Sequence, residues 1–275
     1  QPQVRRYAML AVVVLFLTAI VLAVCLVFIG MFLDVGVLRP APQSIHTSAA
    51  RPLPLLEGRS LRRWAEDWAA SLVARKLKQS PSPAAIVAVT AEIESNVTDM
   101  LRWAHVETVT DPSVPCRRGQ DAIAVTTPEL LAITSDLSRT KSQQVVEAIQ
   151  ERARTNVERR AAKQPADGAE APSCPLLDAE GRCAAFASRP LHCRTHCPAC
   201  VAIGESPAAA RFADDPFAIA LGEGVNRGLA RGLSAAGLDH QTYDLNSALA
   251  VALKQPTAAV RFARGEMVLA GCKTS

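Results

Sequence analysis

Five cysteines stand close together in the second half of the chain: Cys174, Cys183, Cys193, Cys197 and Cys200, spaced C-x8-C-x9-C-x3-C-x2-C, with His192 and His196 beside them. Thiolates are soft ligands that select zinc or iron, and four of them close a tetrahedral site. In an oxidising compartment the same thiols pair as disulfides. The spacing therefore predicts a loop cross-linked either by a metal or by disulfides. The turn Cys197-Pro198-Ala199-Cys200 also has the spacing of a thiol–disulfide exchange motif, but the βαβ pattern expected around such a motif is missing. Arg189 and Arg194 flank the cluster. Their charge is expected to lower the pKa of nearby thiols, or their guanidiniums to bond loop carbonyls.

Other chemistry finds little support. There is no phosphate-cradling Walker loop, no G-x-S-x-G and no H-E-x-x-H. The run Gly222-Glu223-Gly224-Val225-Asn226-Arg227-Gly228 has its last glycine one residue late for a dinucleotide fingerprint and follows no strand; with Gly232 it is expected to let helices pack closely. Glu223, Asp239 and Asp244 form no acid–base pair by position, and His46, His105 and His240 are isolated. Lys and Arg number 30 against 26 Asp and Glu, a net charge of +4. That balance excludes a basic field of the kind that binds nucleic acid. A non-catalytic protein without nucleotide or nucleic-acid ligands is expected.

The stretch Cys174-Pro175-Leu176-Leu177, Gly181-Arg182-Cys183, Phe186, Arg189-Pro190-Leu191-His192-Cys193-Arg194 resembles the YkgJ-like family of zinc- or iron-chelating cysteine-cluster proteins, with Phe186 at the family's aromatic position. Val114-Pro115-Cys116-Arg117-Arg118-Gly119, followed by Thr127-Pro128-Glu129, resembles the family's first cysteine motif running into its helix. Tyr243 to Leu249 with Gly265-Glu266 resembles its tail. In this chain the first motif keeps Cys116, and Gln120 occupies the next expected cysteine position. The resemblance implies a metal site at Cys116, Cys174, Cys183 and Cys193. Cys197 and Cys200 are additions to the pattern, able to replace the lost ligands or to pair with each other or with neighbouring cysteines.

The elements that position these residues begin with a membrane anchor. Residues 8–33 carry no charge, and as a helix rising about 1.5 Å per residue they would cross a bilayer core of about 30 Å. Arg5 and Arg6 before the span and Asp34 after it predict a cytoplasmic N-terminus with the remaining mass periplasmic or extracellular. Pro40, Pro42, Pro52 and Pro54 mark residues 34–58 as an extended tether. Helical patterning then runs from Ser60, a candidate N-cap, through Leu61, Trp64, Trp68 and Leu72. A second helix opens at Ser82-Pro83, a third at Thr127-Pro128-Glu129, and a fourth is striped by Val145, Ile149, Ala153 and Val157. After a linker at 161–173 and the cysteine loop come Pro216 to about Ala236 with Gly237 beyond its end, then Leu245 to Leu253 and about Pro256 to Arg264.

The expected architecture is mostly α: a short tail (1–7), one transmembrane helix (8–33), the tether, and a helical cysteine-cluster domain (59–275) with its cluster at 174–200. Cys25 lies in the span. Seven cysteines lie outside it, including Cys272, and an odd number cannot all pair within the chain. Two functions follow from the residues. One is a membrane-anchored domain chelating zinc or iron. The other is an accessory subunit of a larger membrane complex, whose cysteine loop is only structural, held by metal or by disulfides. The bilayer and other membrane-complex subunits are the expected partners.

Overall fold

Small residues spaced four apart set the tightest contact in the domain. The computed structural model describes residues 58–78, 81–106, 111–116, 123–162, 174–196 and 215–272, all within the unit Pro52–Ser275. Helix α1 (Gly58–Leu77) buries Leu61, Ala65, Ala69 and Val73 along one row. Helix α6 (Pro216–Ala235) lays Gly224, Gly228 and Gly232 against that row. A Cβ at Gly224 would come within 2.3 Å of the Arg62 carbonyl oxygen, and one at Gly228 equally close to that of Glu66. These glycines are therefore required by close backbone approach. Arg62 meets Glu223 at 2.6 Å, and Arg231 bridges Glu66 and Asp67 at 3.0 and 2.7 Å, along the rim of the same contact. Trp64 and Trp68 stack with centroids 6.2 Å apart and pack half-buried against the core.

The other helices enclose the same core. Helix α2 (Pro83–Trp103) starts with Pro83 at its first position and Ser82 as its cap, the Ser82 side chain accepting from the Ala85 amide at 3.1 Å. It buries Ile86, Val89, Ile93, Val97, Met100 and Leu101. Strand β1 (Ala124–Thr126) leads directly into α3 (Thr127–Thr140), and α4 (Gln143–Ala161) follows. After the cysteine loop come the short α5 (Leu191–His196), then α6, β2 (Thr242–Asp244), α7 (Leu245–Ala252) and α8 (Ala258–Ala263). The two strands pair antiparallel with Val125 opposite Tyr243. Asp244 caps α7 by accepting from the Ser247 amide, and its carboxylate also meets Arg160 at 2.7 Å. Gly237, at φ +70°, ends α6 as its position predicts.

The domain is mostly helical, as expected, and differs in two details. The β1–β2 ribbon has strands of three residues each, too short to carry a readable alternation of apolar and polar residues. Helix α1 begins at Gly58, so Ser60 lies inside its first turn, exposed, and is not its cap. Among the described residues no helix is long and apolar enough to cross a membrane. The expected span at 8–33, most of the tether, Cys197 and Cys200 lie outside the described residues.

Gly228→Ala places a methyl against a backbone oxygen that cannot rotate away. It is expected to cost about 1–3 kcal/mol despite alanine's better helix propensity. Chemical denaturation of the variant beside the parent checks this; an unchanged midpoint would contradict the packing described.

Candidate functional site

Three chain segments bring the cysteines together, fixed by backbone bonds within the loop and by side chains of the surrounding helices. Residues 176–184 fold back as a tight turn. The Ala184 amide donates to the Leu176 carbonyl at 2.8 Å and the Asp178 amide to that of Arg182 at 2.9 Å. The Asp178 carboxylate accepts from the amides of Glu180 and Arg182 at 3.0 and 2.8 Å, and Gly181 supplies the left-handed residue at φ +76°. This turn places Leu177 opposite Cys183. The Cys116 amide donates to the Gly181 carbonyl at 2.8 Å, which holds the first cysteine motif onto the same turn.

Two arginines fasten the loop to the helices. Arg152 of α4 donates from Nε and Nη2 to the Pro175 carbonyl, at 3.1 and 2.9 Å, beside Cys174. Arg194 of α5, only 9 % exposed, donates to the carbonyls of Ala187 and Arg189 at 2.8 and 3.1 Å. It also reaches α2, at Thr98 Oγ1 (3.1 Å) and Glu94 Oε2 (3.2 Å). Cys193 precedes Arg194 on the same short helix. That helix is seated by Glu129, which accepts from the Leu191 amide with one oxygen and from the Thr126 amide and hydroxyl with the other. The fully buried Thr195 occupies the space a side chain at Gly222 would need, so α5 also rests on α6.

Cys116, Cys174, Cys183 and Cys193 are near enough that a thiolate at one would repel a thiolate at another. Burial pushes the Cys174 thiol up to about 12 and the Cys183 thiol up to about 11, and it raises Cys193 well above the usual thiol range. Arg189 and Arg194 do pull Cys183 down, as their proximity implied, but desolvation outweighs them. Raised in this way, the thiols of Cys174, Cys183 and Cys193 favour the protonated form at neutral pH, which makes them poor nucleophiles. Arg189 stacks its guanidinium 4.5 Å above the Phe186 ring, and Arg194 also makes the loop-carbonyl bonds that were the alternative reading of these arginines.

Four of the six sequence-derived cysteines are thus gathered. As donors they suit zinc or iron, since four sulfurs are the set those ions select. Among the described residues, however, no group of three or more His, Cys, Asp or Glu side chains stands in a ligating arrangement, so the thiols would have to close inward to hold an ion. Cys272 is buried elsewhere, its thiol directed at the Ser247 carbonyl at 3.6 Å. Asp239 accepts from Thr127 Oγ1 and the Tyr243 hydroxyl and ties β2 to α3.

Glu94 escaped the sequence reading. It is 4 % exposed, and burial pushes its carboxyl up to about 8 against the opposing pull of Arg194, with the nearby Glu129 adding to the rise. Its signal was present: Ile86, Thr90, Glu94, Val97 and Leu101 follow one helical stripe, so a carboxylate sits among apolar positions. No protein-family model matches the chain, and no curated protein or solved structure matches it either.

An unfolded glutamate ionises near 4.3, whereas folded Glu94 keeps its proton up to about 8. The folded state binds this proton more tightly, so its stability falls as pH rises between those values and levels off above them. Glu94→Gln removes that slope. Relative to the parent, the variant is expected to gain on the order of 4 kcal/mol between about pH 5 and about pH 9. Denaturation at both pH values measures this, and a constant difference between the proteins would contradict the burial of an ionisable Glu94.

Proposed function

We propose that this chain is a single-pass membrane-anchored, non-catalytic protein whose helical domain chelates one zinc or iron ion through Cys116, Cys174, Cys183 and Cys193. The observation that carries this reading is the gathering of four cysteines from separate segments by bonds to the helices around them. Cys197 and Cys200, which lie outside the described residues, are the further candidate ligands in this reading. The bound ion would supply structural closure of the loop. Each thiol must give its proton to solvent to bind, so affinity is expected to rise with pH. The resemblance to the YkgJ-like family supports the same reading.

An accessory role in a larger membrane complex is the second reading. It is favoured by the depleted first cysteine motif, in which Cys116 stands without a neighbouring cysteine, and by the proline-rich tether after the expected span. Both readings allow a structural metal.

Elemental analysis of the purified full chain is expected to find close to one equivalent of zinc or iron, and Cys193→Ser to lose most of it. Less than about a tenth of an equivalent in the parent protein, with intact disulfides by mass spectrometry, would overturn chelation. Extraction in mild detergent followed by size measurement tests the second reading, which a lone monomer would contradict.

A further inference from the structure

A cavity of about 680 Å³ opens between the first turns of α2, the second half of α3, the start of α4 and the turn that joins α7 to α8. The cysteine loop is fastened elsewhere on these helices, at Glu94 and Thr98 of α2, Glu129 of α3 and Arg152 of α4. The two features share helices and no residue.

Small side chains leave this space open. Helix α2 lines it with Ala84, Val87, Ala88 and Ala91 at helical spacing, and Leu253 and Pro256 line it from the turn after α7. Ala84, Ala88 and Ala91 are exposed at the mouth, whereas Leu131, Val146, Ala252 and Ala258 are buried beneath it. A concavity over an apolar floor accepts a small molecule more readily than a flat protein face. Its volume falls in the ordinary range for small-molecule sites, about 300–1,000 Å³.

Charge decides the class of occupant. None of the eighteen lining residues is charged, although 20% of the chain is. The polar groups are all neutral: the hydroxyls of Thr134, Ser135 and Ser138 on α3, the amides of Gln143 and Gln150 on α4, and Gln255. The Thr134 hydroxyl donates to the Leu131 carbonyl at 3.1 Å, which leaves it an acceptor toward a ligand. Half-buried Gln150 supplies both a donor and an acceptor. Charged neighbours are engaged at the rim, where Glu147 accepts from the Gln143 amide at 2.9 Å and Arg261 donates to Gln255 and Glu266 at 2.9 and 2.7 Å. A carboxylate or ammonium head would enter without a counter-ion among the lining residues, and burying an unpaired charge is costly. A hydroxyl or carbonyl head would find partners.

We propose that this cavity binds an uncharged amphiphile, its apolar body against α2 and the α7–α8 turn and its hydroxyl or carbonyl head on Gln150 and the α3 hydroxyls. Binding here involves none of the cysteines and needs no metal.

The test uses the full chain in lipid nanodiscs, photolabelled with lauryl alcohol that carries a diazirine on its chain, with labelled peptides mapped by mass spectrometry. Labelling is expected to concentrate on residues 83–91 and 252–259. Unlabelled lauryl alcohol is expected to suppress it about tenfold more effectively than laurate at about pH 9, where the acid is ionised. Ala88 is exposed, so Ala88→Trp fills the cavity from its mouth without entering the core. The variant is expected to lose about nine-tenths of the labelling at both segments with an unchanged thermal midpoint.

Labelling dispersed over the domain would overturn the proposal. So would equal suppression by laurate and the alcohol, a comparison made on the parent protein and therefore decisive even if Ala88→Trp fails to fold.

Discussion

An irregular loop can be packed into a helical domain only if its carbonyls find donors that its own backbone does not provide. Here Arg152 serves the Pro175 carbonyl, and Arg194 does most of the rest. Its guanidinium takes the Ala187 and Arg189 carbonyls on one side and Thr98 and Glu94 on the other. One planar group with several donors thus ties the loop to α2. Cys193 is the preceding residue, so the bonds that satisfy the loop also place a thiol. Thr195, the next residue, seats the same short helix against Gly222. The requirement for small residues on α6 and the position of the cluster are in this way connected.

Burial then decides the chemistry of the thiols. Two nearby guanidiniums would, in water, make cysteines more acidic. In this setting the lost hydration of a thiolate outweighs their attraction, and the thiols stay protonated. Such a cluster is ill-suited to thiol–disulfide exchange, which needs a thiolate at working pH. A divalent ion, if bound as proposed, would supply the positive charge that makes ionisation favourable. The same logic sets Glu94 apart from Glu129. Glu129 accepts bonds at both oxygens and works as a structural tie, while Glu94 meets Arg194 with one oxygen and leaves the other unmet.

Much of the architecture was legible from residue spacing. The Ser82-Pro83 start of α2, the stripe of α4 and the glycine after α6 each rest on local stereochemistry, which neighbouring elements reinforce. The glycine run on α6 was readable as a close contact for the same reason. What was not legible depends on partners distant in sequence. The ribbon between β1 and β2 joins segments far apart along the chain, and neither strand is long enough to announce itself. Ser60 resembled a cap, but the helix had already begun at Gly58. The cysteines were readable as a cluster, yet the direction of their acidity was not, since it follows from desolvation that appears only when α2, α4 and α5 enclose the loop. Glu94 stood on an apolar stripe in plain sight. Its importance needed Arg194, a hundred residues on.

The central claim is that cysteines from separate segments act as one ligand set. X-ray absorption at the zinc edge of the zinc-loaded full chain tests it most directly. The account predicts a single shell of about four sulfur atoms at about 2.3 Å. A shell dominated by nitrogen or oxygen, or one holding fewer than about three sulfurs, would contradict it.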